Sequence, residues 1–173
     1  MNNKIKTSII LIACICISLN ISSCTTSNTK LLEGSAAAIM SEVRKQVSFP
    51  AMMQIDSFAT NGEDTLKNYY GIQNGDDIGD FCILIPQEDN YTEVAIFKID
   101  ETSNNSYDIV LKATQKRYND LYSACKAYNP EKIAGLKNRI LMRYKNAVVF
   151  IVYDKKENET IVKTIDNFSK VIL

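Results

Sequence analysis

Arg139-Ile140-Leu141-Met142-Arg143-Tyr144-Lys145-Asn146-Ala147-Val148-Val149-Phe150-Ile151-Val152-Tyr153 is the stretch that decides the fold of this chain. Through Lys145 it alternates, with Ile140, Met142 and Tyr144 on one side and Arg139, Leu141, Arg143 and Lys145 on the other. That period of two marks a strand with one core face and one wet face. Asn146 suits a tight turn, and Ala147 to Tyr153 is apolar throughout, as a strand buried inside a sheet should be. So short a link leaves no room for a crossover, and the two strands are antiparallel neighbours.

Working outward, Phe81 to Ile85 and Thr92 to Ile99 are β-branched and aromatic runs joined by Gln87-Glu88-Asp89-Asn90, which predicts another antiparallel hairpin. Between the hairpins a long helix is expected from Asn105 to Tyr128. Val110, Thr114, Tyr118, Leu121, Cys125 and Tyr128 recur there every three or four residues, while Lys112, Lys116, Arg117, Asp120 and Lys126 fall elsewhere around the wheel. Asn129-Pro130-Glu131 ends that helix and begins a short one. Nearer the start, Ser35 caps a helix carrying Ile39, Val43 and Val47, which Phe49-Pro50 stops. After Tyr153, Asp154-Lys155-Lys156-Glu157 resembles a capping box opening a last helix with the stripe Ile161, Ile165, Phe168 and Ile172. Residues 50–80 are broken by Asn61-Gly62, Gly71, Asn74-Gly75 and Gly79, and only a helical turn from Thr65 to Tyr70 is expected there. The order α-β-β-α-β-β-α implies an α+β domain, an antiparallel sheet of about four strands in two hairpins with helices packed on it.

The first residues read as an address. Lys4 and Lys6 precede an apolar run from Ile9 to Leu19, about half the length needed to span a bilayer, and small residues follow. Ile21-Ser22-Ser23-Cys24 resembles the lipobox of bacterial lipoproteins, with Ile for the commoner Leu and Ser23 where Gly or Ala is more usual. That resemblance implies cleavage between Ser23 and Cys24 and a diacylglyceryl group on the Cys24 thiol, and two acyl chains are enough for stable membrane attachment. The expected organisation is a signal peptide over 1–23, a lipidated N-terminus and flexible tether over 24–34, and one globular domain over 35–173. The expected location is the extracytoplasmic face of the cell membrane.

Composition narrows the chemistry. The chain has 20 basic and 20 acidic residues; the segment before Cys24 holds two of the lysines and no acid, leaving a net charge of −2. With no basic surplus, nucleic acid is not an expected partner. There is no histidine, which removes histidine-based triads, histidine zinc sites and histidine-activated cysteines. No cofactor, metal or catalytic residue is expected. Asn74-Gly75-Asp76-Asp77-Ile78-Gly79-Asp80 is oxygen-rich but lacks regular ligand spacing and reads as a solvated turn. Cys82 and Cys125 sit in apolar patterns as small buried hydrophobes, with a single bridge between them left open. Of nine tyrosines, Tyr70 and Tyr91 are the candidates for ligand or surface contact, and the others are assigned to packing. Arg139, Arg143 and Lys145 form a basic stripe read first as protection against edge pairing, and second as a contact for acidic wall polymers or anionic lipid.

Tyr70-Gly71-Ile72, Glu93-Val94-Ala95-Ile96-Phe97, Tyr128-Asn129-Pro130 and Ala147-Val148-Val149-Phe150-Ile151-Val152, in this order, resemble small Gram-positive lipoproteins that carry the domain-of-unknown-function family 4358. The resemblance implies a lipid-anchored extracytoplasmic domain with no assigned activity. The leading expectation is a non-enzymatic interaction module with an envelope protein as partner. The alternatives are a small-ligand or glycan-binding lipoprotein and a carboxylate-dependent enzyme.

Overall fold

Both predicted hairpins form, and a pairing that no local pattern announces joins them. A computed structural model describes residues 24–26, 30–73, 78–87, 91–99 and 105–172. In chain order the elements are β1 (Cys24–Thr26), β2 (Lys30–Leu32), α1 (Ala36–Gln46), β3 (Met52–Asp56), α2 (Gly62–Thr65) running into a π-helical turn (Leu66–Tyr70), β4 (Ile78–Pro86) and β5 (Glu93–Ile99). Then come α3 (Ser106–Tyr128), a 3-10 turn (Pro130–Lys132), α4 (Ile133–Leu136), β6 (Ile140–Tyr144), β7 (Ala147–Val152), α5 (Lys155–Asp166) and β8 (Ser169–Val171). The main sheet has the order β1-β6-β7-β5-β4-β3, and β2 pairs with β8 in a separate ribbon. β5 and β7 are antiparallel from Glu93 opposite Val152 to Lys98 opposite Ala147, which fuses the hairpins. Among the described strands, only β1 runs parallel to its neighbour.

Helices cover both faces, which explains why β4, β5 and β7 are apolar on both. On one face Ile83, Phe97, Val148 and Phe150 pack with Val110, Leu121 and Cys125 of α3. On the other, Leu84, Ile96, Val149 and Ile151 pack with Ile39 and Val43 of α1 and Ile161 and Ile165 of α5. Each such side chain contributes about 1.5–3 kcal/mol by leaving water. α1 starts where expected: Ser35 Oγ accepts from Ala38 N at 3.2 Å. A carboxylate distant in sequence assists, since Asp80 Oδ2 accepts from Ala36 N at 2.6 Å at the positive end of the helix.

Four expectations change. The sheet has six strands rather than about four, because edge strand β3 pairs with β4 and β1 adds to β6. Met52-Met53-Gln54-Ile55-Asp56 carries no β-branched run, so only its pairing makes it a strand. The last helix stops at Asp166 rather than continuing through Phe168 and Ile172. Ser169 Oγ donates to Asp166 O at 2.7 Å, and the chain turns into β8, where β2 satisfies its backbone. β2 in turn means that ordered structure reaches back into the segment read as a tether: Leu32 is 1% exposed, and Asn146 bonds both its N–H and its carbonyl. Finally, the side of β6 read as wet is covered by α3. Arg139 lies 3.8 Å from the Tyr118 ring centroid, Arg143 lies 5.2 Å from that of Tyr107, and Leu141 packs into the α3-side core. The hairpin turn over 88–90, the acidic cluster's Asn74 to Asp77, and the leader including Ser23 lie outside the described residues.

Candidate functional site

Under α3 the sheet holds a buried charge. Glu93 opens β5 and is 0% exposed; Arg117 of α3, 9% exposed, reaches it from above. Arg117 Nε and Nη2 both donate to Glu93 Oε2, at 2.8 and 2.5 Å. The Tyr70 hydroxyl donates to Oε1, so each carboxylate oxygen has a donor. Tyr69 completes the arrangement, with its ring centroid 4.7 Å from the guanidinium carbon.

The π-helical turn delivers both tyrosines. Its wider winding places consecutive residues Tyr69 and Tyr70 against the same arginine, one by its ring and one through the carboxylate they share. Gly71, at φ +72°, then reverses the chain in a conformation that costs an L side chain energy. The Tyr70 ring meets Phe97 edge-on at 5.0 Å. Burial, then the Glu93 charge, push the Tyr70 pKa far upward, so its proton stays on the hydroxyl. Burial alone would lower the Arg117 pKa, but the adjacent Glu93 outweighs it and the shift is upward. With a donor on each carboxylate oxygen and no exposure of its own, Glu93 ties α3 and the π-helical turn to the sheet.

Beside this cluster, at the end of the sheet, a cavity of about 250 Å³ opens to the surface. Leu136 and Val152 form its apolar base, Tyr91 and Tyr153 its walls, and Lys132 and Asp154 its polar edge. Val152 is the cross-strand partner of Glu93, which places the cavity next to the buried pair. Asn129 Nδ2 donates to the Tyr91 hydroxyl at 2.9 Å, and the Cys125 thiol donates to the Asn129 carbonyl at 3.2 Å, tying the end of α3 to this wall.

The structure separates the residues singled out from sequence. Tyr91 lines the cavity, whereas Tyr70 is 1% exposed and makes no surface contact. Arg139, just before β6, and Arg143 within it are stacked on α3, and Lys145 is exposed at the turn after β6. Cys24 lies in β1, in register with Leu141. Cys82 and Cys125 are free thiols in the cores of opposite faces. Tyr128, assigned to the core stripe of α3, is exposed where the helix runs past the sheet. Sequence reading missed Glu93 and Arg117, yet both left a signal. Arg117 sits three residues after Thr114 and four before Leu121, inside the buried stripe, and Glu93 is an acid heading an apolar strand.

Among the described residues no group of three acidic or cysteine side chains is placed to hold a metal ion, and no helix is long and apolar enough to cross a membrane. No curated protein and no solved structure matches the chain. A family model described as a domain of unknown function matches residues 45–153, a span that carries β3 through β7, α3 and the whole Glu93–Arg117–Tyr70 cluster. With more than half of its length matched, the chain belongs to the family of that domain, DUF4358.

Proposed function

We propose that this chain is a non-enzymatic interaction module of the cell envelope, lipidated at Cys24 and held at the extracytoplasmic face of the membrane, where it engages an extended segment of an envelope protein. The observation that carries the interaction is Phe58. It is 88% exposed immediately beyond β3, the last strand of the sheet, with Met53 of the same strand also exposed. A strand edge presents a row of backbone donors and acceptors, and an exposed aromatic beside it offers an anchor for the side chains of an added strand. The lipobox-like Ile21-Ser22-Ser23-Cys24 supports the address. The closed hydrogen bonding of Glu93 and Arg117 supports a structural rather than catalytic role for the strongest charge pair.

The test is photo-crosslinking in cells from position 58, with position 128 as an equally exposed aromatic control. One dominant protein adduct at 58, absent at 128 and carrying a peptide from an extended segment, supports the reading. Identical adduct patterns at both positions overturn it. A second reading, binding of a small sugar-like ligand, is favoured by the paired walls Tyr91 and Tyr153. In that case envelope glycan fragments raise the melting temperature of the protein, and Tyr91→Ala removes the effect.

A further inference from the structure

We infer that the partner seated on the β3 edge is a second copy of this chain, joined by antiparallel pairing of β3 with itself about Gln54; the inference rests on the reading of that edge as the docking surface. β3 ends the sheet order, and among the described residues no strand pairs with its outer side. Two bonds that frame the strand give its hydrogen-bond phase. The Gln87 N–H donates to the Ala51 carbonyl at 3.0 Å, and the Ser57 N–H donates to the Phe81 carbonyl at 3.1 Å. Antiparallel pairs alternate between bonded and non-bonded positions, so Ala51, Met53, Ile55 and Ser57 direct their backbone groups at β4. Met52, Gln54 and Asp56 therefore direct theirs outward. Natural edges are blunted by lysine, proline or a bulge; Met52-Met53-Gln54-Ile55-Asp56 has none of these, and its register with β4 is unbroken.

Centred on Gln54, the strand complements itself. Gln54 faces Gln54 of the second copy, and the two exchange both backbone bonds; on either side the Asp56 N–H of one copy reaches the Met52 carbonyl of the other. The Asp56 carbonyl already accepts from the Ala59 N–H at 3.0 Å, which ends the ladder there. Met53, exposed on its own sheet, comes opposite Ile55 of the second copy at a non-bonded position, where side chains lie closest. Phe58, just past Asp56, is carried to the Pro50–Ala51 end of the second copy, so both exposed apolar side chains of this edge gain cover.

Charge supports the same register. The side chains of Met52, Gln54 and Asp56 share the sheet face that carries α1, because Met52 packs into that core and side chains alternate along a strand. Arg44 of α1 donates through Nη1 to Gln54 Oε1 at 3.1 Å, and Asp56 Oδ1 accepts from the Phe58 N–H at 3.0 Å, so each of these charges is held by a neutral group. Asp56 of the second copy falls diagonal to Gln54, about 7–8 Å away, which a long side chain spans and which puts its carboxylate in reach of the Arg44 guanidinium. The neighbouring charges are engaged elsewhere. Lys45 pairs with Glu42 at 2.9 Å, and Asp80 accepts from the Ala36 N–H and the Ser57 hydroxyl. Glu63, Asp64 and Lys67 belong to the segment that packs on the opposite face through Leu66 and Tyr70.

So short an edge falls below the roughly 1,200 Å² of a stable dimer, which makes the pairing weak and reversible and suits it to covalent trapping. Cα atoms of a bonded cross-strand pair lie about 5.5 Å apart, inside disulfide range. The full chain carrying Gln54→Cys is oxidised with diamide in whole cells, beside the wild-type chain and Phe58→Cys. Cys82 and Cys125 are buried, and the wild-type chain reports the background from its other cysteines. Disulfide dimer is expected from Gln54→Cys in roughly tenfold excess over both controls, because position 58 lies about 25 Å from its own copy across the axis. Arg44→Asp lowers that yield severalfold, and adding Asp56→Arg to the same chain restores it. Mixed chains carrying Met52→Cys and Asp56→Cys couple to each other rather than to themselves, which tests the register even where Gln54→Cys fails to fold. Coupling at position 54 no greater than in wild type or at position 58, or mixed chains that couple no better than single ones, overturns the inference. Photo-adducts from position 58 then separate the two readings. A dominant adduct with a different protein removes self-pairing and leaves the edge as a docking surface, whereas no dominant adduct removes both.

Discussion

Replacing Arg117 with methionine strands a carboxylate in the core. Arg117 supplies two of the three hydrogen bonds to Glu93, and Glu93 is 0% exposed, so water cannot take over without local opening. Removing one partner of a buried pair costs about 3–5 kcal/mol, a large part of the roughly 5–15 kcal/mol that holds such a domain together. Removing all the polar groups is different. Glu93→Leu, Arg117→Met and Tyr70→Phe together leave no buried group without a partner, and comparable apolar replacements are neutral or stabilising by about 1–4 kcal/mol. Urea unfolding followed by circular dichroism at neutral pH separates the two cases. With a slope of about 2 kcal/mol per molar, Arg117→Met lowers the midpoint by about 2 M, and the triple variant returns to the wild-type midpoint or above it. A single variant within about 0.3 M of wild type, or a triple variant as unstable as the single one, refutes the reasoning.

Alkaline pH weakens the fold through Cys82, whose thiol is pushed from its ordinary 9.0 up to about 12, first by burial and then by Asp56 and Asp80. The folded state keeps a proton that the unfolded chain releases, so this contribution is whole below pH 9 and is lost as pH rises towards 12, up to about 4 kcal/mol in all. Cys82→Ala should therefore flatten the dependence of the urea midpoint on pH in that window, and an unchanged slope refutes the assignment. Asn146→Ala removes the bonds at 2.8 and 3.0 Å that hold Leu32, and should cost about 1–3 kcal/mol while speeding amide exchange in β2 and β8 but not in β5. Phe58→Asp should leave stability within about 0.5 kcal/mol of wild type and abolish crosslinking to the partner from a photo-reactive residue placed at the exposed position 53; a large loss of stability would make Phe58 part of the core instead.

Most local structure was legible because it has local causes. The alternation in β6, the apolar runs of β5 and β7, the Ser35 and Asp154 caps and the spacing along α3 each act over a few residues. What failed was structure that exists only by pairing. β3 is a strand because β4 lies beside it, and β8 replaces a helical turn because β2 offers hydrogen bonds to its backbone. The candidate site divides in the same way. Tyr91 stood out as an aromatic outside the main core pattern, while Arg117 passed as a solvent charge, because nothing near it in sequence shows that Glu93, 24 residues away, will be folded beneath it.

By itself the sequence determined the class: antiparallel hairpins, a long intervening helix, and a chemistry narrowed by the absence of histidine. Only the tertiary structure decided that β5 pairs with β7, that both faces are covered, and that Glu93, Arg117 and Tyr70 meet in the interior. The reason is range. Capping, turns and periodicity are settled within one or two turns of chain, whereas sheet order and buried ion pairs depend on which distant surfaces exclude water from each other.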